Sequence, residues 1–142
     1  MVSRVIPMSE LDKTTRVPTE IKLHQVSRQL EIAFNNGTRF ELPYEFLRVY
    51  SPSAEVRGHG PGQEVLQVGK KNIAIKGIEP VGSYAVTLTF SDGHDTGIYS
   101  WDYLYELGAN YVALWGRYLS RMEAAGASRE PLAGAPERPK AK

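Results

Sequence analysis

The sequence predicts an α+β domain, in which a single, mainly antiparallel β-sheet is covered by helices from the C-terminal end. Three observations lead to this class. Segments that alternate apolar and polar residues recur over the first ninety positions, the turn sequence Asn35-Asn36-Gly37 separates two of them, and an amphipathic pattern follows Asn110. With 142 residues, 42% of them apolar, the chain suits one domain with an ordinary core.

The first strands are predicted near the N-terminal end. EIKLHQ and QLEIAF alternate in polarity, and TRFEL follows the Asn-Asn-Gly turn, so three antiparallel strands joined in part by a tight hairpin are expected. Pro43 then begins YEFLRVY, which is predicted to be a short helical turn with its apolar residues toward the core.

The second half is predicted to add strands to the same sheet and then to end in helices. EVLQV, NIAIKGIEPVG, SYAVTLTF and TGIYS all have strand-like composition. Ser100 is the expected N-cap of WDYLYEL, which Gly108 is expected to end. On the longer helix after Asn110, apolar residues recur at steps of three and four, whereas Arg117 and Arg121 fall elsewhere on the helical wheel.

Composition sets the domain boundaries and the expected location. Residues 18–125 form the predicted domain, residues 1–17 a flexible N-terminus, and residues 126–142, rich in proline, alanine and charge, a disordered basic tail. The chain has neither an apolar run long enough to span a membrane nor the pattern of a signal peptide. A cytoplasmic protein that does not bind membranes is therefore expected.

Charge and cysteine content exclude several classes of function. The net charge is +1, but residues 18–125 contain ten Lys or Arg and twelve Asp or Glu, which gives −2. Nucleic-acid binding normally needs clustered basic charge on the folded surface, so it is not expected. Because the chain has no cysteine, disulfides, thiol catalysis, cysteine-bound zinc and cysteine-held iron–sulfur clusters are excluded within it.

Two glycine-bearing segments carry candidate ligand-binding groups. In the loop of residues 51–62, Glu55, Arg57 and His59 are the polar candidates, and Arg57-Gly58-His59-Gly60 resembles an anion-binding nest. His94 lies between two carboxylates, including that of Asp92, which would raise its pKa and could contribute to a metal site. The alternatives are that the loop of residues 51–62 has only a structural role and that the segment around His94 is an ordinary hairpin turn. Serines 51 and 53 lie outside any GxSxG sequence, so no catalytic residue is predicted.

Aromatic residues are concentrated in one short predicted helix. Trp101, Tyr103 and Tyr105 lie at alternate positions of WDYLYEL and cannot all face inward. Most of the aromatic side chains are expected to pack in the core. Those left exposed are predicted to mark a surface for a protein partner.

Several of these segments together are similar to a known family. The region from about Pro18 to Gly108 resembles the gamma-butyrobetaine hydroxylase-like N-terminal domain family, a domain of unknown function. The likeness lies in an LP.E.LR step, the Ser-Pro-Ser that follows it, and a DGH…Y.W..L run, at Leu42, Pro43, Glu45, Leu47, Arg48, Asp92, Gly93, His94, Tyr99, Trp101 and Leu104.

The resemblance implies a zinc site that this chain cannot form in the same way. In oxygenases with this domain, the resemblance implies zinc ligands from three cysteines shortly after the Leu-Arg step and from a later histidine. The corresponding residues are Ser51, Ser53, Val56 and His94, so three of the four ligands are absent. Hydroxyl groups are poor zinc ligands and valine is none, so zinc is predicted not to bind and no cofactor is expected.

The resemblance also bears on activity. The related oxygenases use a separate iron and 2-oxoglutarate domain with a His-x-Asp sequence, which this chain lacks. Similar domains are found alone in bacteria and in Mrp-type iron–sulfur carriers, which implies an accessory role. The leading hypothesis is a non-enzymatic interaction module, linked to iron–sulfur or oxygenase systems, with an unknown protein partner. The alternative is a small-ligand or metal-binding domain that uses Arg57, His59, Asp92 and His94; homo-oligomerisation stays open.

Overall fold

The first part of the computed structural model is a three-stranded antiparallel sheet. The structure describes residues 16–58 and 63–131. Strands β1 (Pro18–His24), β2 (Gln29–Phe34) and β3 (Arg39–Pro43) pair in the order β1-β2-β3. Gly37, at a φ of +88°, occupies the left-handed conformation that the β2–β3 turn requires. The three predicted strands and the hairpin are confirmed.

The later strands form a second sheet instead of extending the first. Strands β4 (Ile75–Val81), β5 (Ala85–Phe90) and β6 (Ile98–Ser100) pair in the order β4-β5-β6. Between the sheets, the chain passes through α1 (Tyr44–Val49), α2 (Ala54–Arg57) and an irregular stretch. The α+β class is confirmed, and the prediction of a single sheet is corrected to two.

The predicted strand EVLQV, residues 64–68, is irregular in the structure. Its backbone groups have other partners: Val65 N donates to Val56 O at 2.8 Å, and Gln67 O accepts from the hydroxyl of Tyr118 at 2.7 Å. Because both partners lie on helices, the segment's hydrogen bonds are made to them and not to a neighbouring strand.

Two helices end the described part of the chain. In α3 (Trp101–Ala109), the side chain of Ser100 accepts from Tyr103 N at 3.1 Å, which confirms the predicted N-cap. Helix α4 (Tyr111–Ala125) packs Tyr118 and Met122 against Val49. Within residues 16–58 and 63–131, no helix is both long and apolar enough to cross a membrane.

Both sheets contribute to one hydrophobic core. The most deeply buried side chains come from β2, β3, β4, β5 and β6 and from helices α1 and α3, and they include Leu30, Ile32, Leu42, Phe46, Leu47, Ile75, Leu88, Phe90, Tyr99 and Leu104. Burying this apolar surface is the main stabilising contribution to the fold.

Residues just after α4 pack back onto the domain. Arg129 donates to both carboxylate oxygens of Glu45 at 2.8 Å, and the backbone oxygens of Ser128 and Arg129 accept from Gly69 N and Lys71 N at 3.0 and 2.9 Å. The tail was predicted to begin at residue 126, whereas residues up to Glu130 make contacts of this kind. The rest of the predicted tail, residues 132–142, and residues 1–15 lie outside the described residues.

Candidate functional site

The segment that follows α1 is held in place by two tyrosine hydroxyls. Tyr99 donates to Leu47 O at 2.6 Å, and Tyr103 donates to Tyr50 O at 2.5 Å. The last carbonyl groups of a helix have no partner within the helix, so these hydroxyls complete its hydrogen bonding. They thereby fix the position of Ser51, the next residue along the chain.

Four side chains meet in what we call the His94 cluster, formed by Ser51, Ser53, Glu55 and His94. His94 Nε2 lies 2.8 Å from Ser51 Oγ and 3.3 Å from Ser53 Oγ. Its other ring nitrogen, Nδ1, lies 3.1 Å from Glu55 Oε1. The imidazole is therefore bound on one side by the segment between α1 and α2 and on the other by Glu55 in α2.

Asp92 holds the backbone that carries His94. Its Oδ1 accepts from His94 N at 3.1 Å, while its Oδ2 accepts from Arg48 Nε at 2.9 Å and Lys70 Nζ at 2.6 Å. Burial tends to raise the pKa of Asp92, but the hydrogen bond from Lys70 and the charge of Arg48 outweigh burial and lower it. The carboxylate is thus ionised at neutral pH and already neutralised by two cations.

The order Glu55, His94, Ser51 has the form of an acid, a base and a hydroxyl nucleophile. The surroundings of Ser51 argue against that use. Ser51 is 1% exposed. Its Oγ lies so close to Gly97 that a Cβ atom added to Gly97 would overlap it. Since a substrate carbonyl needs room at the nucleophile, the geometry suits a structural contact between two segments. The absence of catalytic residues stays a prediction.

A cleft of about 800 Å³ opens beside the same segment. Its floor includes the buried side chains of Val49, Val56 and Tyr118. Three guanidinium groups, from Arg57, Arg117 and Arg121, also line it, so we call it the arginine cleft. This combination of apolar walls with a few charged groups is typical of binding sites.

The structure separates the predicted site residues into several places. Glu55, Asp92 and His94 lie in or next to the His94 cluster. Arg57 lies instead at the cleft, with its Cζ 5.1 Å from the centre of the Tyr103 ring. His59 lies outside the described residues.

The other two predicted aromatic residues make contacts elsewhere. Trp101 Nε1 donates to Ser83 O at 2.7 Å. The Tyr105 hydroxyl accepts from Asn36 Nδ2 at 3.1 Å, and its ring packs on Phe34 and Phe40. Both side chains are only partly exposed, so their main role is to pack helix α3 on the two sheets.

Sequence reasoning missed Arg117 and Arg121 as site residues. They lie one helical turn apart on α4, which is a weak signal because exposed helix faces commonly carry such pairs. Only the neighbouring apolar side chains Val49 and Val56, more than fifty residues earlier in the chain, turn this face into a cleft.

Comparison with known proteins assigns the chain to a family. The model for "Gamma-butyrobetaine hydroxylase-like, N-terminal" matches residues 21–105. The chain belongs to this family. The resemblance inferred from the sequence is therefore confirmed. Among curated proteins, none matches the chain.

Solved structures of similar proteins agree with the family assignment. Two NMR solution structures are 48% and 58% identical to the chain, each with a TM-score of 0.72. The match to the first covers 84% of this chain and 94% of the matched chain. The match to the second covers 86% of this chain and 91% of the matched chain. A crystal structure at 1.93 Å from Acidithiobacillus ferrooxidans ATCC 23270, of a DUF971 family protein of unknown function, is 39% identical, with a TM-score of 0.55, covering 65% and 92%.

The zinc site that the family resemblance implied can be compared with the residues present. The structure brings Ser51 and Ser53 onto His94 and buries Val56 to 6% exposure. Two hydroxyls and an isopropyl group do not suit zinc, which prefers thiolate and imidazole ligands. Within residues 16–58 and 63–131, no three His, Cys, Asp or Glu side chains are grouped so that they could hold a metal ion. Loss of the family zinc site stays a prediction.

Replacing Gly97 with alanine is expected to lower the free energy of unfolding by about 2 kcal/mol, because it overpacks a tight interior. The added Cβ would overlap Ser51 Oγ and lie 3.1 Å from Pro52 Cδ, so Ser51 would have to leave His94. Urea denaturation measures the change. Gly116→Ala is the control: nothing lies within 4 Å of its Cβ, and it should gain roughly 0.5–1 kcal/mol. Equal stability of both variants would contradict the packing argument.

Stability is expected to fall as the pH drops below about 6.5. Burial is the main cause that lowers the pKa of His94; Arg48 and Lys70 add to it, whereas Glu55 and Asp92 oppose it. The unfolded chain therefore binds the proton at higher pH than the folded one, and stability is lost between the two pKa values.

The slope of this loss is at most about 1.4 kcal/mol per pH unit for one group. Denaturation curves at a series of pH values from 7.5 downward measure it. In His94→Gln, which keeps a hydrogen-bonding side chain but cannot titrate, the slope should be smaller than in the wild type. The same slope in both proteins would assign the effect to another group.

Proposed function

We propose that this member of the family is a non-enzymatic accessory module that binds a partner protein in the arginine cleft. The observation that supports this most directly is the cleft itself, where three arginines stand beside a buried apolar floor. Charged groups that serve only solubility need no such floor. Arginine and aromatic side chains in concave surfaces are common at the centre of protein interfaces.

The state of the remaining polar groups supports a role without catalysis. Three side chains are of types that take part in catalysis: Ser51, His94 and Asp92. All three are bound to one another or to neighbouring residues. A reactive group needs access to its substrate, which the enclosed hydroxyl of Ser51 does not have. The proposed place of action is the cytoplasm, in a process connected with iron–sulfur or oxygenase proteins.

The alternative hypothesis, a ligand site made by Arg57, His59, Asp92 and His94, receives less support. Asp92 is engaged by Arg48 and Lys70, while Arg57 stacks on Tyr103 at the cleft. Asp92 and His94 therefore lie together, whereas Arg57 lies at the cleft. The cleft combines three arginines with an apolar floor in one concave surface.

Affinity purification at natural abundance tests the proposal. The wild type is compared with Arg117→Ala/Arg121→Ala and with a control that removes two exposed lysines elsewhere, Lys22→Ala/Lys76→Ala. We expect a protein that co-purifies with the wild type and the control but not with the cleft variant. Calorimetry with the purified candidate must then show direct binding.

The contrary results are equally clear. If the cleft variant retains every partner of the wild type, the arginine cleft is not the contact site. If anaerobic purification recovers no iron–sulfur protein, the link to iron–sulfur systems is wrong, while the interaction role itself survives.

A further inference from the structure

We infer that the partner segment bound in the arginine cleft is an acidic peptide, with carboxylates at alternate positions beside an apolar side chain. This inference rests on the proposed function and names the chemistry of its partner. It follows from the unpaired charge of the cleft, the spacing of its arginines and its apolar floor.

The arginines of the cleft differ from most basic residues of the domain in having no acidic partner among the residues that the structure describes. Arg39, Arg48, Lys70 and Arg129, among others, form ion pairs with carboxylates. Within the described ranges 16–58 and 63–131, the ion pairs found at up to 4.0 Å include none made by the three cleft arginines. Among the described residues, no carboxylate therefore neutralises their charge; Arg121 Nη2 donates instead to the backbone oxygen of Glu64, at 3.5 Å.

The balance of charge in the cleft opposes that of the domain. Three arginines and Glu64 line it, which leaves an excess of two positive charges among the described lining residues. Residues 18–125 as a whole carry −2. A surface of opposite sign to its surroundings attracts a partner of complementary charge and excludes basic ones.

The tyrosines at the cleft show the same field. Burial raises the pKa of Tyr50, but the charges of Arg117 and Arg121 oppose that rise. Burial likewise raises the pKa of Tyr103, against a hydrogen bond and the charge of Arg57. In both cases the arginines stabilise a negative charge placed at the cleft.

The spacing of two arginines matches an extended peptide. Arg117 and Arg121 are four residues apart on α4, a rise of about 6 Å along the helix axis. Side chains on one face of an extended chain repeat every second residue, or about 6.6 Å. Carboxylates at alternate positions can therefore each meet one guanidinium, which binds carboxylates through two parallel hydrogen bonds.

The apolar floor of the cleft indicates that the peptide is recognised by an apolar contact as well as by charge. The floor of the cleft is formed by three buried residues. Val49 and Val56 are each 6% exposed, and Tyr118 is 2% exposed. An apolar side chain on the same face of the peptide as the carboxylates would extend this buried surface. Because burial of such a side chain strengthens binding, acidic peptides without one should bind at least about tenfold more weakly.

Selection from a phage-displayed library of random peptides tests the inference. The full-length protein is the target, and Arg117→Glu/Arg121→Glu is used for counter-selection. We expect enriched peptides to carry Asp or Glu at alternate positions, with a large apolar residue on the same face of the extended chain. A synthetic peptide of the consensus sequence should bind the wild type and Lys22→Glu/Lys76→Glu equally, and the cleft variant at least about tenfold more weakly.

Amide chemical shifts of the labelled protein locate the bound peptide. We expect changes at Val49, Val56 and Tyr118, and weaker binding as salt is added. Because a charge reversal could disturb the fold, Arg117→Gln/Arg121→Gln provides a second variant, and thermal unfolding confirms that both variants fold. The neutral variant should lose several-fold in affinity.

The outcomes distinguish this inference from the proposed function. Enriched peptides without acidic residues that still shift the cleft amides would overturn the inference and leave the interaction role intact. Peptides that shift amides outside the cleft, or no enrichment over a denatured target, would overturn both. Binding that persists unchanged in the charge-reversed variant would also contradict the inference.

Discussion

The variant Ser51→Cys/Ser53→Cys/Val56→Cys is expected to bind one zinc ion and to unfold at a higher temperature with zinc than without it. Two of the three positions already contact His94 Nε2, and Val56 N bonds Ser53 O at 3.1 Å within the same short segment. The opposite ring nitrogen is held by Glu55, an arrangement that commonly orients histidine ligands of zinc.

The expected effect is large, because a metal that binds only the folded state adds its binding energy to stability. With zinc at a thousandfold excess over the dissociation constant, the gain is about 4 kcal/mol. For a domain of this size, that corresponds to a rise of roughly 15 °C. Scanning calorimetry measures the rise, and cobalt absorption reports tetrahedral coordination.

Two controls separate this prediction from general stabilisation. Adding His94→Ala to the three cysteines removes the fourth ligand and should abolish most of the zinc-dependent rise. The wild type should show no such rise. If zinc raised the unfolding temperature of the wild type, the predicted loss of the zinc site would be refuted. If zinc did not change the unfolding temperature of the cysteine variant, the His94 cluster would not correspond to a metal site.

The structure also offers a physical reason for the serines. In a zinc site, the metal joins distant segments of chain; here the hydrogen bonds of Ser51 and Ser53 to His94 join the end of α1 to the turn before β6. Buried hydrogen bonds of this kind contribute roughly 0.5–1.5 kcal/mol each. The His94 cluster therefore joins these two segments through hydrogen bonds between protein side chains.

Local features of the fold were predictable from the sequence because local physics determines them. Gly37 permits the turn between β2 and β3, and the Ser100 side chain caps α3. The division into two sheets was not predictable, since strand alternation does not specify which strands pair. Residues 64–68 were mistaken for a strand because the hydroxyl of Tyr118, more than fifty residues away, bonds their backbone.

The candidate site was predictable from the sequence only in part. The convergence of Ser51, Ser53 and His94 followed from the family resemblance and not from periodicity or spacing. Arg57 was selected for the glycines around it, whereas Arg117 and Arg121 looked like ordinary members of a polar helix face. A site assembled from separate elements depends on tertiary packing, which one sequence does not display.

Replacing Arg129 with alanine is expected to lower the free energy of unfolding by about 2–3 kcal/mol. The carboxylate of Glu45 is 7% exposed and accepts two hydrogen bonds from Arg129, whose own side chain is 36% exposed. Removing one partner of a fully buried pair costs roughly 3–5 kcal/mol, and the exposure of Arg129 reduces that figure. The guanidinium also lies 5.3 Å from the centre of the Trp115 ring, a contact that the variant loses.

Urea denaturation followed by tryptophan fluorescence measures this loss, with Lys71→Ala as the matched control. Lys71 pairs with Glu130 at 2.7 Å, but both side chains are exposed, so its removal should cost less than about 1 kcal/mol. Deleting residues 126–142 should cost at least as much as Arg129→Ala, because the deletion also removes Arg129. If Arg129→Ala were no more damaging than Lys71→Ala, the folded unit would end at α4, and Glu45 would have to be stabilised without the residues that follow that helix.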